Sequence, residues 1–297
     1  MHKKSLHNNK YNFDELVKHH EALKPHVFVN DYQTQTIDFS NPAAVKALNT
    51  ALLATYYGVK YWEFPDENLC PPIPSRADYM HHLADVLRRS NLEDNVTVLD
   101  VGTGATCIYP LLGNALYNWN FVGTDIDKKS LQIAQKIIDK NNLSEAIEVR
   151  LQPDYQQILK GIIKPSDKFT ASVCNPPFFK SQADAFEATK TKLKGLGREG
   201  DKVVRNFSGT PTELCYAGGE KAFLHNYLYE SSQYKQQCFW YTSLVSNVNH
   251  VESMKASLKK LGATEFQVVD MIQGNKVSRI VAWSFLTKQE QNEWNKN

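Results

Sequence analysis

The sequence predicts a doubly wound α/β fold, a mostly parallel sheet with helices on both faces, Rossmann-like in its winding and closed by a C-terminal antiparallel hairpin. Three observations predict it. From Asn95 onward, short apolar strand patterns alternate with helical ones, which calls for parallel strands joined by crossovers. The first of those strands runs into Asp100-Val101-Gly102-Thr103-Gly104, a glycine pair suited to a sharp turn at the carboxyl edge of such a sheet. The tail then carries two strand patterns, TEFQVVDMI and SRIVAWSFL, around a short turn.

Residues 1–62 show no clean strand pattern. The apolar spacing Val45, Leu48, Leu52, Leu53 predicts a helix there, with Ser40 or Asn41 as N-cap and Pro42 at its first position. The stretch Cys70-Pro71-Pro72-Ile73-Pro74-Ser75-Arg76 reads as a stiff extended strap, after which Ser75 caps the helix ADYMHHLADVLRRS. Strands follow at VTVLDVG, FVGTDID, AIEVRL, FTASVCNPPFF and QQCFWYTSLVS. The helix KKSLQIAQKIIDKNN carries Leu131, Ala134, Ile137 and Ile138 on one face, with Asp127 as a plausible N-cap. One connection is abnormally long. Between Phe179 and a helix starting near Gly219 the apolar periodicity is weak, and a loop of that length is usually functional or disordered. The chain thus divides into an N-terminal basic and helical extension (1–62) and a main α/β domain (63–290), with a long basic loop (180–217) inside the latter.

Composition narrows the function classes. The 297 residues include 34 Lys and Arg against 32 Asp and Glu, a net charge of +2, with 42% hydrophobic residues. That balance excludes a disordered or membrane-embedded chain. No apolar run reaches the roughly 18–20 residues of a membrane helix, and the N-terminal stretch lacks the apolar core of a signal peptide. Five scattered cysteines form no C-x-x-C pair, which disfavours a disulfide framework and a zinc site. The adjacent pairs His19-His20 and His81-His82 point apart on a helix, so no metal is expected. A cytoplasmic protein with no membrane partner is the expectation. The near-neutral total hides two basic windows: Lys3, Lys4 and Lys10 with no acid in residues 1–12, and an excess of three positive charges in residues 180–206. Two basic, polar and mobile segments fit a polyanion better than a small metabolite.

Two motifs define a chemistry. Gly102 and Gly104 let the backbone approach a ligand closely, although the third glycine of the dinucleotide fingerprint is missing. Asp125, at the end of the second strand, stands where a carboxylate accepts hydrogen bonds from both ribose hydroxyls. Together they indicate an adenosine-containing cofactor. At the end of the fourth strand comes Asn175-Pro176-Pro177-Phe178. An adenine N6 amine is a poor nucleophile because its lone pair is delocalised into the ring. The Asn175 side-chain carbonyl and the Pro176 main-chain carbonyl can accept that amine's two N–H groups, favouring a nitrogen whose lone pair faces an electrophilic methyl. Pro176 and Pro177 fix the turn in advance, and Phe178, with Phe179 beside it, offers a stacking face for the base.

These motifs resemble the class I S-adenosylmethionine-dependent methyltransferases that act on exocyclic amines. His7-Asn8, FSNPAAV (39–45), CPPIPSRADY (70–79), DVGTGATCIYP (100–110), NPPFF (175–179), Thr212-Glu213 and Gly218-Gly219-Glu220 carry the resemblance further. Over nearly the whole chain it is similar to the 23S ribosomal RNA (adenine(1618)-N6)-methyltransferases, and to the eukaryotic enzymes that methylate adenine in U6 small nuclear RNA. The resemblance implies S-adenosylmethionine as cofactor, held by Arg76, Asp100, Gly102, Gly104, Thr106, Asp125 and Asn175. It also implies contact between the cofactor adenine and the loop around Gln152 to Gln156. The implied partner is 23S ribosomal RNA or a large-subunit assembly intermediate, gripped by Lys3, Lys4, Lys10, Phe179, Lys190, Lys192, Lys194, Arg198 and Arg205. Some relatives carry Glu where this chain has Asp125. Two other readings share parts of the pattern: a protein glutamine-N5 methyltransferase, whose related motif usually ends in Tyr, and a non-catalytic RNA-binding assembly factor.

Overall fold

The structure, a computed structural model, describes residues 1–195, 209–273 and 276–294. A seven-stranded sheet has the order β5-β4-β3-β6-β7-β9-β8. Strands β3 (Thr97–Val101), β4 (Asn120–Asp125), β5 (Ile147–Leu151), β6 (Phe169–Cys174) and β7 (Cys238–Val245) are parallel, and β8 (Glu265–Gln273) and β9 (Lys276–Ser284) complete it antiparallel. The order reverses at β3, which sits between β4 and β6, so the carboxyl ends of these three strands flank the switch point where such sheets bind ligands. The predicted fold class is the one observed.

Period-2 alternation builds the two faces. Val98, Phe121, Ala171 and Val173 pack on one face with α3 (Ile73–Arg89), α4 (Ile108–Tyr117) and α5 (Lys128–Lys140). Leu99, Val101, Val122 and Cys174 pack on the other with Phe223, Leu224 and Tyr227 of the helix spanning Gly219–Ser231. The Asp127 carboxylate caps α5 through Lys129 N and Ser130 N, as the sequence suggests. Ahead of the sheet lie α1 (Phe13–His19), a small hairpin of β1 (Val27–Val29) and β2 (Gln35–Ile37), and α2 (Pro42–Tyr57). Asn41, not Ser40, caps α2 by accepting from Ala43 N and Ala44 N. Phe13, Leu16, Leu23 and Leu52 join the same apolar cluster as α3 and α4. Trp240 and Trp283 are core residues, and so is Cys174.

Three local expectations differ from the structure. The helix after the proline-rich stretch starts at Ile73, not after Ser75; Pro72 is its N-cap, and Ser75 Oγ donates back to the Pro72 carbonyl. Prolines fit a helix's first turn because their missing N–H has no partner there anyway. The extended strap therefore ends at Pro72. The basic arm 1–12 is packed, not mobile: His2 N donates to Asp78 Oδ1 at 2.6 Å, His2 stacks on His81, and buried His7 contacts the Tyr57 hydroxyl at 2.7 Å. Lys3, Lys4 and Lys10 remain exposed on this fixed arch. The 180–217 connection, expected as a loop, contains α6 (Gln182–Gly195) and a short α7 (Pro211–Leu214); α8 (Gly219–Ser231), α9 (Val248–Leu261) and α10 (Lys288–Trp294) follow. The α6 sequence is rich in Ala and Lys, which favour helix without an apolar stripe to announce it.

Candidate active site

A cleft opens at the switch point, lined by Pro71 and Arg76 from the strap and α3, the loop after β3, Asp125 and Ile126 after β4, Gln152 and Tyr155 after β5, and Asn175 and Pro177 after β6. Segment 212–216 and Phe223 close its other side. The loop after β3 needs its glycines. Gly102 and Gly104 have φ of +77° and +63°, where a side chain is strained, and Gly102 N and Thr103 N both donate to the Thr124 carbonyl. The loop ends at Cys107, itself left-handed at φ +49° and buried, before α4 begins.

Asp125 is held by two main-chain donors, Gly104 N and Asp127 N, each at 2.9 Å. Burial pushes its carboxyl up to about 6 despite those two bonds, and the charge of Glu213 adds to the rise. Asp100 is 1% exposed, and neither of its oxygens meets a protein donor in hydrogen-bond geometry. Burial pushes its carboxyl up to about 7, helped by the charge of Asp125 and only partly offset by the nearby Thr103 hydroxyl. A buried carboxylate without a well-aligned donor marks a place where a ligand group completes the bonding. Arg76 lies with its guanidinium carbon 5.6 Å from the centre of the Tyr109 ring, and the Tyr109 hydroxyl is likewise buried and unpartnered. Asn175 Oδ1, at the tip of β6, is a third buried acceptor with no protein donor.

The cleft thus brings together Arg76, Gly102, Gly104, Thr106, Asp125, Asn175 and Pro177, with Asp100 buried against it. Thr106 also accepts the Trp62 indole N–H through its carbonyl, at 2.9 Å, so Trp62 braces the loop from behind. Pro176 is buried behind the cleft wall; Phe178 is 37% exposed and lies outside that wall, as does half-buried Phe179. The loop named around Gln152 to Gln156 does line the cleft, through Gln152 and Tyr155. Lys190 is exposed on α6, and nothing is described of the Lys192 and Lys194 side chains; Arg198 and Arg205 lie outside the described residues. Among the described residues no His, Cys, Asp or Glu cluster is arranged to hold a metal, and no helix is long and apolar enough to cross a membrane.

Sequence reasoning missed Tyr109, Ile126, Glu213, Tyr216 and Phe223 as lining residues. It also missed Glu230, which is buried and accepts from the main-chain N–H groups of Ile158, Leu159 and Lys160 at 2.7–3.0 Å, anchoring the loop after β5. Tyr109 and Glu213 stand within the motifs that carry the resemblance but are not singled out there, and Ile126 carries a local signal, an apolar residue between two aspartates. The polar set suits a zwitterionic, ribose-bearing ligand: an arginine, two carboxylates and a close-approaching glycine loop at the switch point.

Fold and site together define a class I methyltransferase. The chain belongs to the RNA methyltransferase family, whose model matches residues 1–287. It is 47% identical over 301 residues to the ribosomal RNA large subunit methyltransferase F of Flavobacterium psychrophilum, covering 99% of this chain and 96% of that protein. A second protein of that name, from Colwellia psychrerythraea, is 47% identical over 298 residues, with 96% and 99% covered. Among solved structures, the human METTL16 catalytic domain in complex with MAT2A 3′UTR hairpin 6 superimposes with a TM-score of 0.82 at 30% identity, covering 97% of this chain and 98% of that one. The N-terminal domain of human METTL16 in complex with SAH matches with a TM-score of 0.77 at 27% identity, over 97% of this chain and 99% of that one.

Proposed function

We propose that this protein transfers a methyl group from S-adenosylmethionine to the N6 amine of one adenine in 23S ribosomal RNA, at the position carried in the family's name. The observation that carries the reading is Asn175 Oδ1: a buried acceptor without a protein partner, at the end of β6 beside the glycine loop and Asp125. When bound, S-adenosylmethionine supplies the electrophilic methyl. The residues supply the rest. Asp125 and the Gly102–Gly104 loop hold the ribose side, and Arg76 and Asp100 complement a carboxylate and an ammonium group. Asn175 Oδ1 and the Pro176 carbonyl accept the amine's two N–H groups and stabilise the positive charge that grows on nitrogen. The proline pair holds both acceptors before the base arrives, and Phe178, exposed outside the cofactor wall, stacks a base that has left its helix. The methylated nitrogen is acidic enough to release its proton to water, so no strong base is required.

Residues 1–62 act in this reading as an RNA-binding extension. Lys3, Lys4 and Lys10 present a basic arch pinned to α3, and Lys190 extends the phosphate contacts from α6. The large-subunit names of the relatives support ribosomal RNA over a protein glutamine, and the aromatic after the prolines, Phe178, agrees. The test is transfer of labelled methyl to ribosomal RNA from cells lacking the protein, with nucleosides identified by mass. N6-methyladenosine formed by wild type and not by Asn175→Ala is the expected result. Label appearing only in co-incubated protein would overturn the RNA assignment in favour of the glutamine reading.

A further inference from the structure

The Glu213 carboxylate joins two parts of the site that are far apart in sequence, residues 68–69 and its own limb from Thr210. Its Oε1 accepts from Asn68 Nδ2 at 3.2 Å, and its Oε2 accepts from Leu69 N at 3.1 Å, Thr210 N at 2.7 Å and Thr210 Oγ1 at 3.0 Å. Asn68 and Leu69 lead into the proline strap and α3, where Arg76 sits. Thr210 opens α7, the limb by which the chain returns to the cleft after the long connection. That limb then pairs with the catalytic turn on both sides of one residue. Phe179 N donates to the Leu214 carbonyl and Tyr216 N donates to the Phe179 carbonyl, each at 3.0 Å. Glu213 also borders the glycine loop: a Cβ added at Gly104 would lie 3.6 Å from its Oε1.

We propose that Glu213 is a positioning residue for methyl transfer: held by Thr210 within the limb, it locks the 209–216 limb to the strap through Asn68 and Leu69, and the limb in turn fixes the exit of the Asn175–Phe179 turn. The inference rests on the methyl-transfer reading above, and its reasoning is one of reach. Phe179 lies only one short stretch beyond Asn175, and two prolines make that stretch stiff, so a displacement of the limb is carried to the acceptors instead of being absorbed. Transfer rates fall on the order of 100-fold for about 1 Å of misplacement, which makes such a tie kinetically visible. A charged acceptor suits it because three donors converge on one oxygen.

The hydrogen-bond pattern provides a test that separates positioning from bulk. In Glu213→Gln the new carbonyl oxygen can take the Oε2 position and keep its three donors, and the amide nitrogen then faces Asn68, whose own amide turns over to present its oxygen. Glu213→Gln is therefore expected to keep a single-turnover rate within about 3-fold of wild type at saturating cofactor and RNA, and Glu213→Ala to lose on the order of 10-fold or more. Asn68→Asp places two carboxylates face to face and is expected to behave like Glu213→Ala; adding Glu213→Gln to it supplies an N–H for the new carboxylate and restores the rate. A general loss of folding would not be repaired by that second change. Wild-type rates in both Glu213→Ala and Asn68→Asp would overturn the proposal. So would a Glu213→Ala defect confined to weaker cofactor binding, with the rate at saturation unchanged. Failure of the double variant to recover the Asn68→Asp loss would show that the tie is not what sets the turn. Absence of methyl transfer to RNA by the wild-type protein would instead count against the underlying reaction, before any variant is compared.

Discussion

Replacing Asp100 by Asn removes a charge that the folded protein holds at a cost. The Asp100 carboxyl moves from an ordinary 3.8 to about 7, because burial disfavours its ionised form. The folded state then binds a proton more tightly than the unfolded chain does, so this group's contribution to stability is greatest below about pH 4 and is lost as the pH rises through about 7. Roughly three pH units at about 1.4 kcal/mol each give a full loss of about 4 kcal/mol, of which roughly 2 to 3 kcal/mol falls between about pH 5 and pH 8. The amide in Asp100→Asn does not titrate, so the variant's stability relative to wild type should rise by that amount over the same range, in the absence of cofactor. The same change removes a charged partner for the cofactor's ammonium group and should weaken S-adenosylhomocysteine binding on the order of 10-fold at about pH 8. Denaturant unfolding at closely spaced pH values, with calorimetric titration of the product cofactor, measures both effects. Parallel stability curves for wild type and Asp100→Asn from about pH 5 to 8 would refute the reasoning, since they would mean that Asp100 is ionised at no cost.

Three further outcomes follow from the geometry. Glu230→Ala strips three main-chain N–H groups, two of them buried, of their acceptor and should destabilise the protein by about 2 kcal/mol or more, with weaker cofactor binding through the loose loop after β5; denaturant unfolding with and without cofactor reads both. Changing Lys3, Lys4 and Lys10 together to Ala should leave the fold intact, since all three are exposed, and flatten the salt dependence of RNA binding by roughly three phosphate contacts; an unchanged slope in filter binding counts against the arch. Phe178→Ala should cost about 1–3 kcal/mol in transition-state stabilisation with RNA and leave S-adenosylhomocysteine affinity unchanged, because the ring lies outside the cofactor wall; single-turnover kinetics and calorimetry separate the two.

The parts of this molecule written in local pattern were legible in the sequence. Strands β3 to β9 follow their apolar runs, Asn41 and Asp127 cap their helices, and the glycine loop, Asp125 and Asn175 converge on one cleft because strand ends at a switch point must. What escaped depends on contacts between distant residues. His2 and His7 look like members of a polar tail, yet their partners are Asp78 and Tyr57, 76 and 50 positions away. Helix α6 lacks an apolar stripe, so periodicity gives no signal for it. Glu230 binds main-chain N–H groups and Glu213 takes two of its four bonds from them, and a main-chain donor leaves no mark in a sequence.

The acidity of the cleft bears on the proposed reaction. Asp100, Asp125 and Glu213 gather at the cofactor site, and their mutual repulsion adds to burial in raising the carboxyls of the first two. In the proposed reaction such a cleft favours a cationic sulfonium inside it and opposes an RNA phosphate there. The lysines on the arm and on α6 are not among the residues that line the cleft. A neutral base, unlike a phosphate, meets no such opposition. After transfer the donor has lost its positive charge, and the same carboxylates no longer hold the product as strongly as they held the donor. In the proposed reaction one arrangement of charge therefore favours the donor over a phosphate inside the cleft and favours release of the spent cofactor.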